Sequence, residues 1–152
     1  MQVREYYTQL DNLMPLFREQ LNAGRTVRFS PRGISMLPML RQGRDTVTLS
    51  PLPDKLHKYD LPLYQRRDGH YVLHRVVKAA DTYTCIGDNQ FIYESGLTHD
   101  QMIAIVSGFS RGQREYSVSD VRYQVYCRVW HYSRPFRRFF RRAKNWIRRH
   151  LR

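Results

Sequence analysis

Ser35, His74 and a carboxylate at Asp88 or Glu94 are the residues of this chain whose types and spacing could do chemistry together. Ser35 lies in Gly33-Ile34-Ser35-Met36-Leu37-Pro38-Met39-Leu40, one small hydroxyl in an apolar run punctuated by Gly33 and Pro38. That pattern describes a tight turn against a hydrophobic wall. A neutral serine is a weak nucleophile and needs a base within hydrogen-bond reach. A histidine can take the proton and return it to a leaving amine, while a carboxylate fixes the imidazole tautomer and stabilises the imidazolium. The order serine, histidine, acid is one of several that build such a triad, so order alone decides nothing. Each residue also has a plainer use. Ser35 can bond its own turn, His74 can be a hydrogen-bonded core residue, Asp88 can stabilise a turn, and Glu94 can be surface charge.

Periodicity shows which elements would position these groups. Tyr6, Leu10, Leu13, Met14, Phe17 and Leu21 recur at helical spacing, which predicts one amphipathic helix over residues 5–21 that ends near Asn22 and Gly24. After Gly24 the period is two, with extended segments at 26–29, 45–49 and 59–64, where Pro62 suits only an edge or a bulge. Asp68-Gly69 reads as a hairpin connection into a strand at 71–77. Alternation puts Val72, His74 and Val76 on one face of that strand, and Tyr71, Leu73, Arg75 and Val77 on the other. Further strands are expected at 82–86 and 102–106. Asp88 falls in the turn Gly87-Asp88-Asn89-Gln90 and Glu94 six positions on. A short side chain in a tight turn is the better fixed, so Asp88 is expected against His74, with Glu94 as the alternative.

Composition bounds the rest. With 152 residues the chain fits one domain with a core of ordinary size. The fold expected is mainly β, in antiparallel strands. It comprises an N-terminal helix (1–24), a β domain (25–118) and a helical basic tail (119–152). Cys85 and Cys127 are far apart, with no Cys/His cluster, so neither a disulfide framework nor a metal site is suggested, and no cofactor is expected. No apolar run approaches a membrane span, and Glu5 and Asp11 interrupt what would be a signal peptide. A cytoplasmic location is the expectation.

The net charge of +13 is unevenly spread. Nine Lys or Arg and no acid lie from Tyr132 to Arg152, which leaves 17 basic against 13 acidic residues before them. On a helical wheel Phe136, Phe139, Phe140, Ala143, Trp146, Ile147, His150 and Leu151 share one side, with Arg137, Arg138, Arg141, Arg142, Lys144, Arg148, Arg149 and Arg152 opposite. Aromatic and aliphatic residues facing arginines describe a helix lying in the headgroup plane of an anionic membrane. An arginine-rich helix can also follow phosphates of nucleic acid, but the wide aromatic face would then lack a partner, so no nucleic acid is expected. The N-terminal helix is also too short to hold a helix-turn-helix reader.

Gly33-Ile34-Ser35-Met36-Leu37-Pro38, Tyr71-Val72-Leu73-His74-Arg75-Val76-Val77 and Gly87-Asp88-Asn89 together resemble three boxes of the signal peptidase I superfamily, which includes the LexA-type self-cleaving repressors. The spacing is 39 residues from Ser35 to His74 and 14 from His74 to Asp88, and the resemblance runs from about Val27 to Phe109. Histidine in the second box is similar to the endoplasmic-reticulum and archaeal branch, where bacterial signal peptidases and LexA have lysine. The resemblance implies coiled antiparallel sheets, Ser35 as nucleophile, His74 as base, and the Ser35 backbone N–H in an oxyanion hole. It implies a peptide or protein substrate with a small residue before the scissile bond. Asp88 fills the acidic position of the third box, while the Ser/His enzymes also carry an aspartate where this chain has Glu94. Two departures stand out: Gly33 replaces a hydroxyl that assists the oxyanion hole in bacterial signal peptidases, and Lys58-Tyr59-Asp60 stands where the family usually has Gly-Asp. The chain also lacks the family's transmembrane anchor, for which the tail is a candidate substitute. Two rival expectations are a non-catalytic membrane-surface or regulatory module and a repressor-like protein that cleaves itself.

Overall fold

A computed structural model describes residues 2–150, with side chains described from residue 10 onward. The side chain of Tyr6 and residues Leu151 and Arg152 of the expected apolar and basic faces lie outside the described residues. The architecture is mixed and mainly sheet, with three α-helices among the described residues: α1 (Gln2–Asn22), α2 (Val121–Tyr132) and α3 (Arg134–His150). Between them run β1 (Val27–Phe29), β2 (Thr46–Pro51), β3 (Pro62–Gln65), β4 (Tyr71–Leu73), β5 (Arg75–Ala79), β6 (Tyr83–Ile86), β7 (Glu94–Leu97), β8 (Met102–Arg111) and β9 (Arg114–Ser117).

The strands form two antiparallel sheets. One has the order β1-β2-β8-β3-β4, with β9 paired to β8, and the other has the order β5-β6-β7. The strand expected over 71–77 is therefore not one strand. It breaks at His74, because β4 pairs with β3 in the first sheet and β5 pairs with β6 in the second. All of Val72 to Val77 is buried, Arg75 included. Period-two alternation presumes one wet face, and a segment passing between two sheets has none. The Asp68-Gly69 hairpin forms as expected, with Gly69 at φ +88° and Arg66 N–H donating to His70 O at 2.8 Å.

The helix α1 buries Met14, Phe17 and Leu21 at i, i+3 and i+7, and Gly24 at φ +75° ends it in the left-handed conformation that only glycine adopts freely. Leu13, expected on the same stripe, is instead exposed. The core around α1 also takes Val47, Leu49, Val106 and Phe109 from the sheet, Met36, Met39 and Leu40 from the turn after Ser35, and Tyr123 and Cys127 from α2. Of α2, Tyr123 and Cys127 are buried in this core, while Val121, Val125 and Val129 stay exposed. A second cluster, with Tyr64, Val72, Val76, Cys85 and Met102, fills the space between the sheets.

Arg75 and Asp88 join these parts. Arg75 is 1 % exposed and Asp88 0 %; Arg75 Nε donates to Asp88 Oδ1 at 2.9 Å and Nη2 to Oδ2 at 2.8 Å. From α2, Tyr123 Oη accepts from Arg75 at 2.8 Å and Tyr126 Oη donates to Asp88 Oδ2 at 2.8 Å. Removing one member of a buried pair leaves the other charge uncompensated and typically destabilises by about 3–5 kcal/mol, whereas replacing both by apolar groups of similar volume is far milder. Urea denaturation should therefore rank Asp88→Ala and Arg75→Met as severe and the double variant as milder than the sum of the two. Additive losses would contradict the pairing.

Candidate active site

The turn carrying Ser35 is fastened from below and from the side. Met36, Met39 and Leu40 point into the core, while Ile34 is exposed and Ser35 half-buried. At its side lies Gly87-Asp88-Asn89, whose Asn89 N–H donates to Ser35 O at 2.8 Å and whose Asn89 Nδ2 donates to Ile34 O at 3.2 Å. Position 87 requires glycine because a Cβ there would stand 2.7 Å from Ser35 O. The Gly33 N–H is taken by Gln42 Oε1 at 2.7 Å. Among the described residues the Ser35 N–H donates no hydrogen bond, which leaves a free backbone donor beside the hydroxyl.

His74 is 2 % exposed and sits where the chain crosses from β4 to β5. Its Nδ1 lies 3.1 Å from Glu94 Oε1 and 3.3 Å from Tyr64 Oη. Burial alone would raise the Glu94 carboxyl, but hydrogen bonds from Arg66 and His74 hold it well below the usual carboxylate range. An ionised carboxylate only accepts, so Nδ1 carries a proton, and in the neutral imidazole the lone pair is then on Nε2. The Tyr64 phenol, pushed up by burial first and then by the Glu94 charge, stays protonated. Arg66 supports Glu94 with two contacts, Nε to Oε2 at 2.8 Å and Nη2 to Oε1.

The expectation for the acid is corrected by this geometry. Asp88, favoured from the sequence, does not meet His74: both its oxygens are committed to Arg75, the next residue. Glu94, the alternative, starts β7 opposite Cys85 and reaches the imidazole. Asp88 instead positions His74 indirectly, by clamping Arg75, while Asn89 beside it holds the Ser35 turn. Among the described residues no hydrogen bond joins Ser35 Oγ to the His74 ring. Arg75, Arg66 and Tyr64 were missed from the sequence; an arginine beside a candidate base in an apolar run, with an aspartate in the next turn, was the available signal. Cys85 is no competing nucleophile, since burial and then Glu94 push its thiol up to about 12. Among the described residues no group of three or more His, Cys, Asp or Glu is placed to hold a metal ion.

The tail residues divide. Phe136, Phe139, Phe140, Trp146 and Ile147 are exposed on α3, as are Arg138, Arg141 and Arg142. Arg137, expected on the basic membrane-facing side, turns to the domain instead. It lies 3.8 Å over the Trp130 ring and donates to Trp130 O at 2.7 Å and Asp88 O at 3.2 Å. No helix among the described residues is long and apolar enough to cross a membrane.

Because the Glu94 carboxyl is lowered on folding, its contribution to stability is present above its unfolded pKa of about 4.3 and fades as pH falls through the lowered folded value. The stability gap between the wild type and Glu94→Gln should be full at neutral pH and should shrink steadily below about pH 4 in urea titrations. A gap that persists unchanged in strong acid would mean that Glu94 acts by shape rather than charge.

Comparison with protein-family models, with curated proteins and with solved structures finds no match to this chain, so the site is read from its own geometry.

Proposed function

We propose that the chain is a serine endopeptidase of the signal-peptidase type, acting on an extended peptide or leader at a membrane surface. The observation that carries this reading is the imidazole of His74, oriented through Nδ1 by Glu94 with Nε2 free of any hydrogen bond among the described residues, on a frame shared with the Ser35 turn. In the reaction Nε2 removes the Ser35 hydroxyl proton as Oγ attacks the scissile carbonyl, and the Ser35 N–H donates to the oxyanion. The imidazolium, stabilised by Glu94, then protonates the leaving amine. Water activated by the same nitrogen hydrolyses the acyl-enzyme. Exposed Ile34 beside the serine, and exposed Ile92 two residues before Glu94, offer apolar contacts to a substrate strand.

A backbone detail adds support. Tyr59 has φ +81°, a left-handed conformation that disfavours side chains, and it stands where the resemblance has glycine. It is held there by a 2.7 Å hydrogen bond from its N–H to Val76 O and by Arg75 Nη1 donating to its carbonyl at 3.3 Å. A positive φ at the position where the resemblance has glycine is consistent with the proposed fold type. The rival reading, a surface module without turnover, is favoured by one observation, the absence of a Ser35–His74 hydrogen bond. Catalytic hydrogen bonds often close only in the substrate complex.

Turnover of leader-like peptides with a small residue before the scissile bond tests the two readings. Ser35→Ala, His74→Ala and their double variant should lose activity to the same residual level, since members of one relay are not additive. Glu94→Gln should lower kcat by orders of magnitude with a folded protein, while Asp88→Asn should act mainly through stability. No turnover by the folded wild-type protein would leave the surface-module reading in place, and activity that survives Ser35→Ala would contradict Ser35 as the nucleophile.

We further propose that α3 is the membrane contact. Its exposed aromatic residues and its arginines are the support, and each cation near an anionic surface adds roughly 1 kcal/mol. Phe140→Ser with Trp146→Ser should weaken sedimentation with anionic vesicles, and added salt should weaken it too. Equal binding by the double variant would contradict insertion of the aromatic face.

A further inference from the structure

The junction of α2 and α3 contains groups that hydrolysis at Ser35 does not use. Arg134 is 4 % exposed, and its Nε and Nη1 are sealed from solvent with no hydrogen-bond partner among the described residues. His131 Nδ1, three residues earlier, is sealed in the same way. Buried polar groups are nearly always paired, and a guanidinium cannot shed its charge to escape the penalty. Both residues line a cleft of about 510 Å³, together with Phe91 and Tyr93 from the β6–β7 loop and Arg138 and Arg142 from α3. The three arginines are four residues apart, so they lie along one face of the helix. Among the described residues no carboxylate lines the cleft. Burial first, and then the charges of Lys58 and Arg134, push the His131 imidazole below its ordinary value.

We propose that this cleft binds phosphate, with Arg134 as its buried anchor and Arg138 and Arg142 closing over the anion from the same helix face. Guanidinium groups donate in a fork that matches phosphate oxygens, and a phosphomonoester has three terminal oxygens to receive three such groups. A single carboxylate would leave the third arginine unmatched. Aromatic walls at Phe91, Tyr93 and Phe139 offer contacts to an ester substituent such as the glycerol of a lipid headgroup. The site is independent of the peptidase reading, and it differs from general attraction to an anionic surface because one buried side chain decides it.

The test uses the full chain with inorganic phosphate, followed by amide and guanidinium NMR and thermal melts, against chloride at the same ionic strength. Phosphate should saturate a single site and raise Tm, while chloride should not. Arg134→Gln should weaken phosphate binding on the order of tenfold or more, the size expected for a lost charge-assisted contact. Since Arg134 is buried and its variant could unfold, Arg138→Gln, an exposed position, should weaken binding severalfold, and Arg149→Gln, outside the cleft, should not. Phosphatidylcholine vesicles doped with phosphatidic acid are then compared with vesicles brought to equal surface charge with phosphatidylserine. A preference for phosphatidic acid that vanishes in Arg138→Gln assigns the site to a lipid phosphomonoester; saturable phosphate binding without that preference assigns it to a soluble one. Equal responses to phosphate and chloride, with Arg138→Gln indistinguishable from Arg149→Gln, would overturn the site.

Discussion

Arg75 and Asp88 hold each other inside the protein through two hydrogen bonds of 2.9 and 2.8 Å, and nearly every feature near Ser35 and His74 depends on that contact. Arg75 follows His74, and its cation fixes the point where the chain leaves one sheet for the other. Asp88 precedes Asn89, whose two donors hold Ile34 and Ser35. The pair therefore links the chain at His74 to the Ser35 turn, since each member is a sequence neighbour of a residue in one of them. It also recruits α2 through Tyr123 and Tyr126, and α3 through Arg137 on the Asp88 carbonyl. Two charges sealed from water tolerate few other arrangements, because any shift leaves a buried donor or acceptor unmatched.

With Asp88 committed to that task, another acid has to face the histidine. Glu94 does so from the first residue of β7, and it has its own cation, Arg66, to keep it ionised. Two separate ion pairs thus divide two roles that the sequence had merged in one aspartate. One pair sets the frame and the other orients the His74 imidazole. In the proposed mechanism this division lets the catalytic acid sit at a partly exposed edge while the frame stays dry.

Some of this was legible in the residues. The helix α1 declared itself through Met14, Phe17 and Leu21, the hairpin through Asp68-Gly69, and the two-faced tail through its separation of aromatics from arginines. The three boxes around Ser35, His74 and Asp88 pointed to residues that do lie on one connected frame. Other features left little trace. Alternation at 71–77 assigned Arg75 to the face opposite His74, since a pattern of period two carries no information on whether that face is wet or covered by a second sheet. The strand β7, Glu-Ser-Gly-Leu, lacks the β-branched and aromatic residues that mark strands, and its pairing with β6 supplies what propensity does not. The preference for Asp88 over Glu94 weighed the stiffness of two side chains and ignored the competing cation next to the base. Likewise Arg137 looked like one more residue of a basic face until Trp130 and the Asp88 carbonyl were seen beneath it.

The central claim is that Ser35 is a nucleophile activated by His74. Treating the protein with a serine-reactive peptidyl phosphonate and locating the adduct by mass spectrometry tests it most directly. The account predicts one covalent adduct on Ser35 Oγ, absent in Ser35→Ala and formed far more slowly in His74→Ala. No adduct on the folded protein, or labelling that is indifferent to His74, would contradict it.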